Sequence, residues 1–449
     1  MTEERSNYET IDINNINSEE VRQDSSLSSE TFENEIEESE NPLIEECSHS
    51  LLSIDSNNTS KENLLSFSEI PSNNEEYILD LKKTLSNDKC LYWADVARII
   101  SILSIIFLHS AEYDLEPKIK DNVHNDQWMM VYWYNCISRF GIPMFILLSG
   151  TFILDPNKDF SLKIIFSKHI LRLVIIYTFW STVNALLNIF LYKTHSFSQF
   201  FELFLVGEEY LWLIYIVIGC YLISPILRLF SDNIPLARYV LILCVIWGSF
   251  IPSLQNIFMI FKFTKAYKII TLWTEHWPFN FTLEFVGYFI AGYHIVKYVH
   301  IRSNILRIFL YFLAIVDIIF YSYITCQYDI ENNTKHSIDY GDHYTLSIAF
   351  FTITLFIFFK HEIDRFHFLP RDIIIINKLS FLALGAYLCH MIIKKILTTY
   401  LHISQYEFLI FIKYNPAVGC PILWLTVTIL SFLVSYGFSK IPLFKNYII

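Results

Sequence analysis

The chain carries little charge for its length. Charged residues make up 17% of its 449 residues, whereas soluble domains carry about 25%. Hydrophobic residues account for 53% and aromatic residues for 17%. The low charge excludes a soluble globular protein of ordinary composition, and the high hydrophobic fraction favours a membrane protein.

Cysteine motifs and a cleavable leader are also missing. The eight cysteines form no C-x-x-C pair, and most lie inside apolar stretches. We interpret them as small core residues and predict no metal ligands. The N-terminus lacks the basic, apolar and small-residue regions of a secretory signal peptide. The first apolar span is therefore expected to direct membrane insertion.

Acidic residues are concentrated at the N-terminus. Residues 1–90 hold 22 Asp and Glu against 6 Lys and Arg, whereas residues 91–449 have a net charge of +4. The segment is rich in Ser, Glu and Asn, and it cannot bury enough apolar surface to offset the entropy of ordering. We therefore predict a disordered acidic cytosolic tail over residues 1–90, followed by a transmembrane domain over residues 91–449.

Apolar runs long enough to cross a bilayer recur from residue 96 onward. They predict an all-α polytopic bundle of about ten spans at residues 96–113, 128–154, 164–192, 209–230, 236–252, 280–299, 304–326, 343–361, 378–401 and 420–440. After the fifth span, Pro252 allows residues 253–279 to form a re-entrant or interfacial piece. With both termini in the cytosol, Lys and Arg number fifteen in the inner loops and eight in the outer loops, which favours that orientation.

Ionisable residues within the first span point to a site. Arg98 and His109 are eleven residues apart, which is about 20° past three full turns and about 16 Å of rise, so they share one helix face. Asp95 can pair with Arg98. Arginine offers a fork of donors for a phosphate or carboxylate, and histidine can take and return a proton near neutral pH. Snorkelling of Arg98 and an interhelical hydrogen bond of His109 are the structural alternatives.

Five segments in register then resemble a known family. Asp95-x-x-Arg98 followed by His109 resembles the first-span signature of the acyltransferase 3 family of integral membrane acyltransferases. Four later segments are similar to further motifs of that family: residues 138–150, 168–172, 210–227 and 380–390. The resemblance runs from residue 92 to about residue 440 and includes none of the tail. Within that family, the segments are similar to those of the bacterial O-acetyltransferases of surface polysaccharide.

This resemblance implies an acyl-CoA-dependent O-acyltransferase. The acyl group, usually acetyl from acetyl-CoA, would pass to a carbohydrate or glycolipid hydroxyl on the outer side, with no bound cofactor. The expected partners are the bilayer, acyl-CoA and the acceptor, without nucleic acid. Arg98, with Lys168 and Arg172 from the facing loop, is expected to bind the CoA phosphates. His109 is expected to act as a general base, and brief carriage of the acyl group is the alternative.

Three further residues are candidates for the acceptor side. Glu112 lies one turn after His109 and either orients it or is a solvated acid at the outer end. Arg139 either binds the acceptor or an oxyanion, or pairs with an acid such as Glu112. His390 lies mid-span beside Lys394 and Lys395, where polar groups usually face the bundle interior, so we predict that it lines the site.

Two other functions fit parts of the pattern. A transporter also has many spans with buried polar groups, but transport folds often show internal symmetry or paired broken helices, and the chain has no internal repeat. A membrane scaffold could use the acidic tail to bind cytosolic partners. Deleting residues 1–90 separates the scaffold from an enzyme, because the enzyme does not need the tail.

Overall fold

The computed structural model describes residues 91–112, 126–157, 161–192, 197–276, 285–332, 343, 345–409, 412–413, 415–442 and 444. The predicted acidic tail, residues 1–90, lies outside this part of the chain. The described residues are mainly helical, and a short antiparallel strand pair, β1 (Glu407–Phe408) and β2 (Ile412–Lys413), interrupts them near the C-terminal end.

Long α-helices account for most of the described chain. Those of ten residues or more are α1 Tyr92–Glu112, α2 Asp126–Ser138, α3 Gly141–Ile153, α4 Leu171–Tyr192, α5 Phe197–Val206, α6 Trp212–Arg228, α7 Ile234–Val245, α8 Ile251–Ile260, α9 Thr264–Glu275, α10 Val286–Tyr298, α11 Asn304–Asn332, α12 Leu346–Phe358, α13 Pro370–Tyr400 and α14 Pro416–Ser439. Segments with π-helical turns lead into α4 (Ile165–Ile170), join α7 to α8 (Ile246–Phe250) and follow α12 (Phe359–Ile363).

Eight helical segments of the described chain are long and apolar enough to cross a membrane. They are Tyr92–Ala111, Met129–Ile153, Leu162–Ile189, Ile234–Ile260, Asn304–Glu331, Leu346–Ile363, Pro370–Tyr400 and Pro416–Ser439. The predicted span 209–230 is the shorter α6, with 17 residues. The predicted span 280–299 is described only as the 13 residues of α10. The predicted all-α polytopic fold is confirmed, and eight segments of full spanning length lie within the described part of the chain.

The fifth predicted span is longer than expected. We predicted that it ends at Pro252, but the helical segment continues from Ile234 to Ile260. Pro252 stands in the first turn of α8, directly after the π-helical turn Ile246–Phe250. Within a continuing helix, proline lacks the N–H for one intrahelical hydrogen bond, and the π-helical turn directly before it is the irregularity that accommodates this loss. The following helix, α9, has no buried residue, in keeping with the interfacial alternative for this region.

Several predicted inner loops lie together at one end of the bundle. The contacts that join them are Lys297 Nζ to Asp232 Oδ1 at 2.7 Å, Lys360 Nζ to the Val299 carbonyl at 2.9 Å, and the rings of Trp93 and Phe356 at 5.4 Å. These contacts tie the start of α1 to the ends of α6, α10 and α12. The beginning of α1 is therefore at the same end as the loops that follow the predicted fourth, sixth and eighth spans.

Helices α3 and α10 approach each other backbone to backbone. A Cβ atom at Gly150 would overlap the carbonyl oxygen of Phe289, and one at Gly292 would overlap the carbonyl oxygen of Leu147. Small residues permit such close helix packing in membranes. Because α3 also packs against α1, this contact helps to fix the helix that carries Arg98 and His109.

Substitution of Gly150 by alanine is expected to lower the apparent melting temperature of the purified protein by several degrees. The added methyl group forces two helices apart, and overpacking of this kind costs about 1–3 kcal/mol. The matched control is Gly219→Ala in α6, where nothing lies within 4 Å of the added Cβ, so helix propensity alone predicts no loss. Equal melting temperatures for the two variants would contradict the close packing.

Candidate active site

The first polar group of the site lies near the N-terminal end of α1, where this helix meets α13. Arg98 Nη1 donates to Asp95 Oδ1 at 3.0 Å and to Ser380 Oγ at 2.6 Å. Ser380 Oγ in turn donates to Asp95 Oδ1 at 2.6 Å. All three residues are buried, and we call them the Arg98 cluster. The pairing of Asp95 with Arg98 agrees with their spacing of three residues.

Two further donors of Arg98 are suited to a ligand. Nε and Nη2 are buried without a hydrogen-bond partner among the described residues, and the residue is 5% exposed. The side chain thus points into the bundle instead of snorkelling to the headgroups. Burying unpaired donors costs free energy, so their position fits the binding of an anion that accepts from both.

A tyrosine connects the Arg98 cluster with α4. Tyr221, on α6, lies within electrostatic range of both Arg98 and Arg172. Its ring centroid is 6.1 Å from that of His169, and the two rings are nearly perpendicular. Helices α1, α4 and α6, with the π-helical turn before α4, therefore bring two guanidinium groups and an imidazole near one phenol. Sequence reasoning had selected Arg98 and Arg172 but neither His169 nor Tyr221.

The π-helical turn before α4 decides which basic residue faces the bundle. His169 is buried, whereas Lys168 is exposed. Because the π-helical turn Ile165–Ile170 contains more residues per turn than an α-helix, it shifts the phase of the residues that it carries. Lys168, predicted to contact the same ligand as Arg98, therefore lies on the exposed face of this turn.

The second polar group lies toward the C-terminal end of α1. The ring centroids of His109 and His390 are 5.3 Å apart, with 33° between the planes. Lys394 Nζ donates to the backbone carbonyl of His109. This carbonyl is among the last four of α1, which have no intrahelical partner, so Lys394 caps the helix and holds His109 opposite His390. His109 is half-buried and His390 is buried; we call them the imidazole pair.

Aromatic side chains fix the position of His390. Its ring centroid is 5.2 Å from that of Tyr210 and 5.6 Å from that of Tyr387. The Tyr210 hydroxyl donates to the Leu388 carbonyl at 3.0 Å and accepts from Asn184 Nδ2 at 2.7 Å. The imidazole pair thus lies where α1, α4 and α13 meet the short helical turn before α6.

The Arg98 cluster and the imidazole pair involve the same two helices. Arg98 and His109 on α1 contact Ser380 and His390 on α13, respectively. The predicted common face of Arg98 and His109 is therefore the face that α1 presents to α13. Eleven residues separate the two groups on α1 and ten on α13, so the helices run parallel and the groups are about 16 Å apart along them.

Arg139 lies deeper in the bundle than the start of its span. It occupies the break between α2 and α3, and the neighbouring Ser138 carbonyl accepts from Ser104 Oγ at 2.7 Å. That places the break midway between Arg98 and His109 along α1. Arg139 Nε donates to Asn135 Oδ1 at 3.0 Å, and the Arg139 carbonyl contacts His343 Nδ1 at 2.9 Å. Arg139 thus lies at mid-depth in the break between the two helices, and the sequence pattern did not predict this break.

Glu112 is the last residue of α1. Its side chain lies outside the described part of the chain, so its predicted roles, orienting His109 or facing solvent, stay predictions.

The fold and this site define a multi-pass integral membrane protein with two buried polar groups at different depths of one helix pair. The sequence model of a protein family described as an acyltransferase domain matches residues 91–440. This match covers most of the chain, and the protein therefore belongs to the acyltransferase 3 family and is a membrane acyltransferase. Comparison with curated proteins and with solved structures produced no match.

Proposed function

We propose that the protein transfers an acyl group from acyl-CoA to a hydroxyl group of a carbohydrate acceptor, and that this acyl group is acetyl. The observation that carries this proposal is the separation of the Arg98 cluster from the imidazole pair by about three helical turns. The chain of atoms from the CoA pyrophosphate to the thioester sulfur is about 15 Å long when extended, by standard bond lengths. An acyl-CoA bound along α1 can therefore place its phosphates at Arg98 and its thioester at His109.

The cytosolic side of the proposal rests on charge. The free donors of Arg98 suit phosphate oxygens, and Arg172 supplies a second guanidinium near Tyr221. His169 adds a further donor at the same level, and Lys168 can attract the polyanion from the exposed face. In the proposed orientation, both termini and the end of the bundle that holds the Arg98 cluster face the cytosol, in agreement with the Lys and Arg distribution of the loops.

The chemical step needs a base near the thioester. In our proposal, His109 takes the proton of the acceptor hydroxyl as the hydroxyl oxygen attacks the thioester carbon. The tetrahedral intermediate then expels the CoA sulfur, which leaves with a proton as free CoA. We further propose that the Arg139 side chain, from the break between α2 and α3, binds the acceptor or the developing oxyanion, and that His390 lines the opposite side of the acceptor position.

Proteoliposomes provide a direct test. Full-length protein is reconstituted into liposomes that contain methyl glucoside or N-acetylglucosamine in the lumen, and radiolabelled acetyl-CoA is added outside. We expect acetylated sugar in the lumen and an equal amount of free CoA thiol outside. Label that enters the lumen without ester formation would instead identify a transporter.

The acceptor class is tested separately in cells. We expect O-acetyl groups on glycans in cells that contain the gene and a loss of these groups in cells without it. CoA release with no acylated sugar in either experiment would contradict a carbohydrate acceptor while supporting the acyl-CoA donor.

A further inference from the structure

The tautomer of His390 is determined by its backbone contact. Its Nδ1 lies within hydrogen-bond distance of the Tyr387 carbonyl. A carbonyl oxygen only accepts hydrogen bonds, so Nδ1 carries the proton, and in the neutral ring Nε2 carries the lone pair. The Nε2 atom is buried and has no hydrogen-bond partner among the described residues. A histidine that serves packing alone would normally have this buried nitrogen paired as well.

The groups around Nε2 favour a role in catalysis over a purely structural contact. His390 is 1% exposed and faces the half-buried His109 at 5.3 Å between ring centroids. The titratable groups around it are His109 from α1, Tyr210 from the turn before α6, and Tyr387 and Lys394 from α13 itself. Of these, Lys394 is held by the His109 carbonyl. The imidazole pair thus places two proton-accepting rings side by side where α1 and α13 meet.

We propose that His390 is a second catalytic imidazole, and that the imidazole pair together holds the proton released by the acceptor hydroxyl. This proposal rests on the proposed function. It adds that the proton is shared between the two imidazole rings. The hydroxyl O–H bond breaks and a C–O bond forms at the acyl carbon, while the proton passes to an imidazole nitrogen, either that of His109 or Nε2 of His390. The C–S bond then breaks, and the sulfur takes the same proton to leave as free CoA. The released proton is shared between the two rings, so we expect both rings to be needed for the full rate.

The deciding variant is His390→Asn. The asparagine side-chain amide can replace Nδ1–H as a donor to the Tyr387 carbonyl, but it has no basic nitrogen in place of Nε2. If His390 is catalytic, the rate of CoA thiol release in the proteoliposome assay is expected to fall by about 10²–10⁴-fold, with an unchanged melting temperature. If His390 serves only to bind the Tyr387 carbonyl, His390→Asn retains its activity.

A second variant tests the same role by chemical rescue. In His390→Gly, added imidazole is expected to restore part of the rate, and the restored rate should rise with pH as the free imidazole loses its proton.

The matched control for His390→Asn is His294→Asn. His294 is also a buried histidine with an unpartnered ring nitrogen, but it lies on α10 away from the imidazole pair. It is expected to keep the wild-type rate.

The outcomes separate this proposal from the proposed function. Wild-type acyl transfer together with an active His390→Asn variant would overturn the second imidazole and leave the acyltransferase intact. Transfer by the wild type with no rescue of His390→Gly at any imidazole concentration would also count against it, provided that this variant has the wild-type melting temperature. A wild-type protein that releases no CoA with either sugar would overturn both proposals.

Discussion

Replacing His109 with glutamine is expected to lower the turnover number for acyl transfer by about 10²–10⁴-fold, the usual loss when a general base is removed. Glutamine has a similar length and keeps a polar end, but it cannot take up and return a proton near neutral pH. The KM for acetyl-CoA is expected to stay within a few-fold of the wild type, because in our proposal the phosphates bind at the Arg98 cluster, about three turns away. Initial rates over a range of acetyl-CoA concentrations measure both quantities.

The structure also indicates that this variant keeps its fold. Lys394 caps the backbone carbonyl of His109, not its ring, so the helix cap is retained. Ser110→Ala is a suitable neighbouring control, since the Ser110 hydroxyl bonds the Ile106 carbonyl within its own helix. A His109→Gln enzyme with the turnover of the wild type would remove this residue from the mechanism.

Replacing Arg98 with glutamine is expected to raise the KM for acetyl-CoA by about 10–100-fold. A hydrogen bond to a charged group contributes about 1.5–3 kcal/mol, and the two free donors of Arg98 would be lost. The comparison substrate is S-acetylpantetheine, which has the thioester but no phosphates. The wild type is expected to prefer acetyl-CoA strongly over S-acetylpantetheine, and the variant is expected to lose most of that preference.

Destabilisation by an unpaired carboxylate has to be separated from the loss of binding. Arg98→Gln leaves Asp95 buried without its ion pair, and such a loss costs about 3–5 kcal/mol. The double variant Asp95→Asn with Arg98→Gln removes both charges and keeps Ser380 as a partner. It is expected to recover the melting temperature but not the preference for acetyl-CoA. Recovery of that preference would assign Arg98 a purely structural role.

Much of the fold was predictable because its signals are local. Apolar runs identify spans wherever the hydrophobicity of one segment is sufficient, and these predictions agree with helices in the described chain. The errors occur at the fifth span, which continues through Pro252, and at the break that holds Arg139. Both depend on local helix geometry, a π-helical turn and a short non-helical connection, that apolar patterning does not encode.

The candidate site was predictable only in part. The common face of Arg98 and His109 follows from the helical period alone, so counting residues was enough to find it. Sequence reasoning chose Lys168 in place of His169 because the phase of the π-helical turn is not visible in a basic motif. It also missed Ser380, although this residue belongs to the segment that ends in His390, since a serine in an apolar span has many structural uses.

Within one helix, the sequence by itself determined which side chains share a face and at what depth, because rise and twist per residue are nearly constant. The length of the apolar runs likewise determined that the described residues from 91 onward are mainly apolar helices with a few buried charges. Only the tertiary structure decided that Arg98 meets Ser380 and that His109 meets His390 and Lys394, contacts that span more than 280 residues of sequence. Which helix lies opposite a given face depends on the packing of the whole bundle, and no local period specifies it.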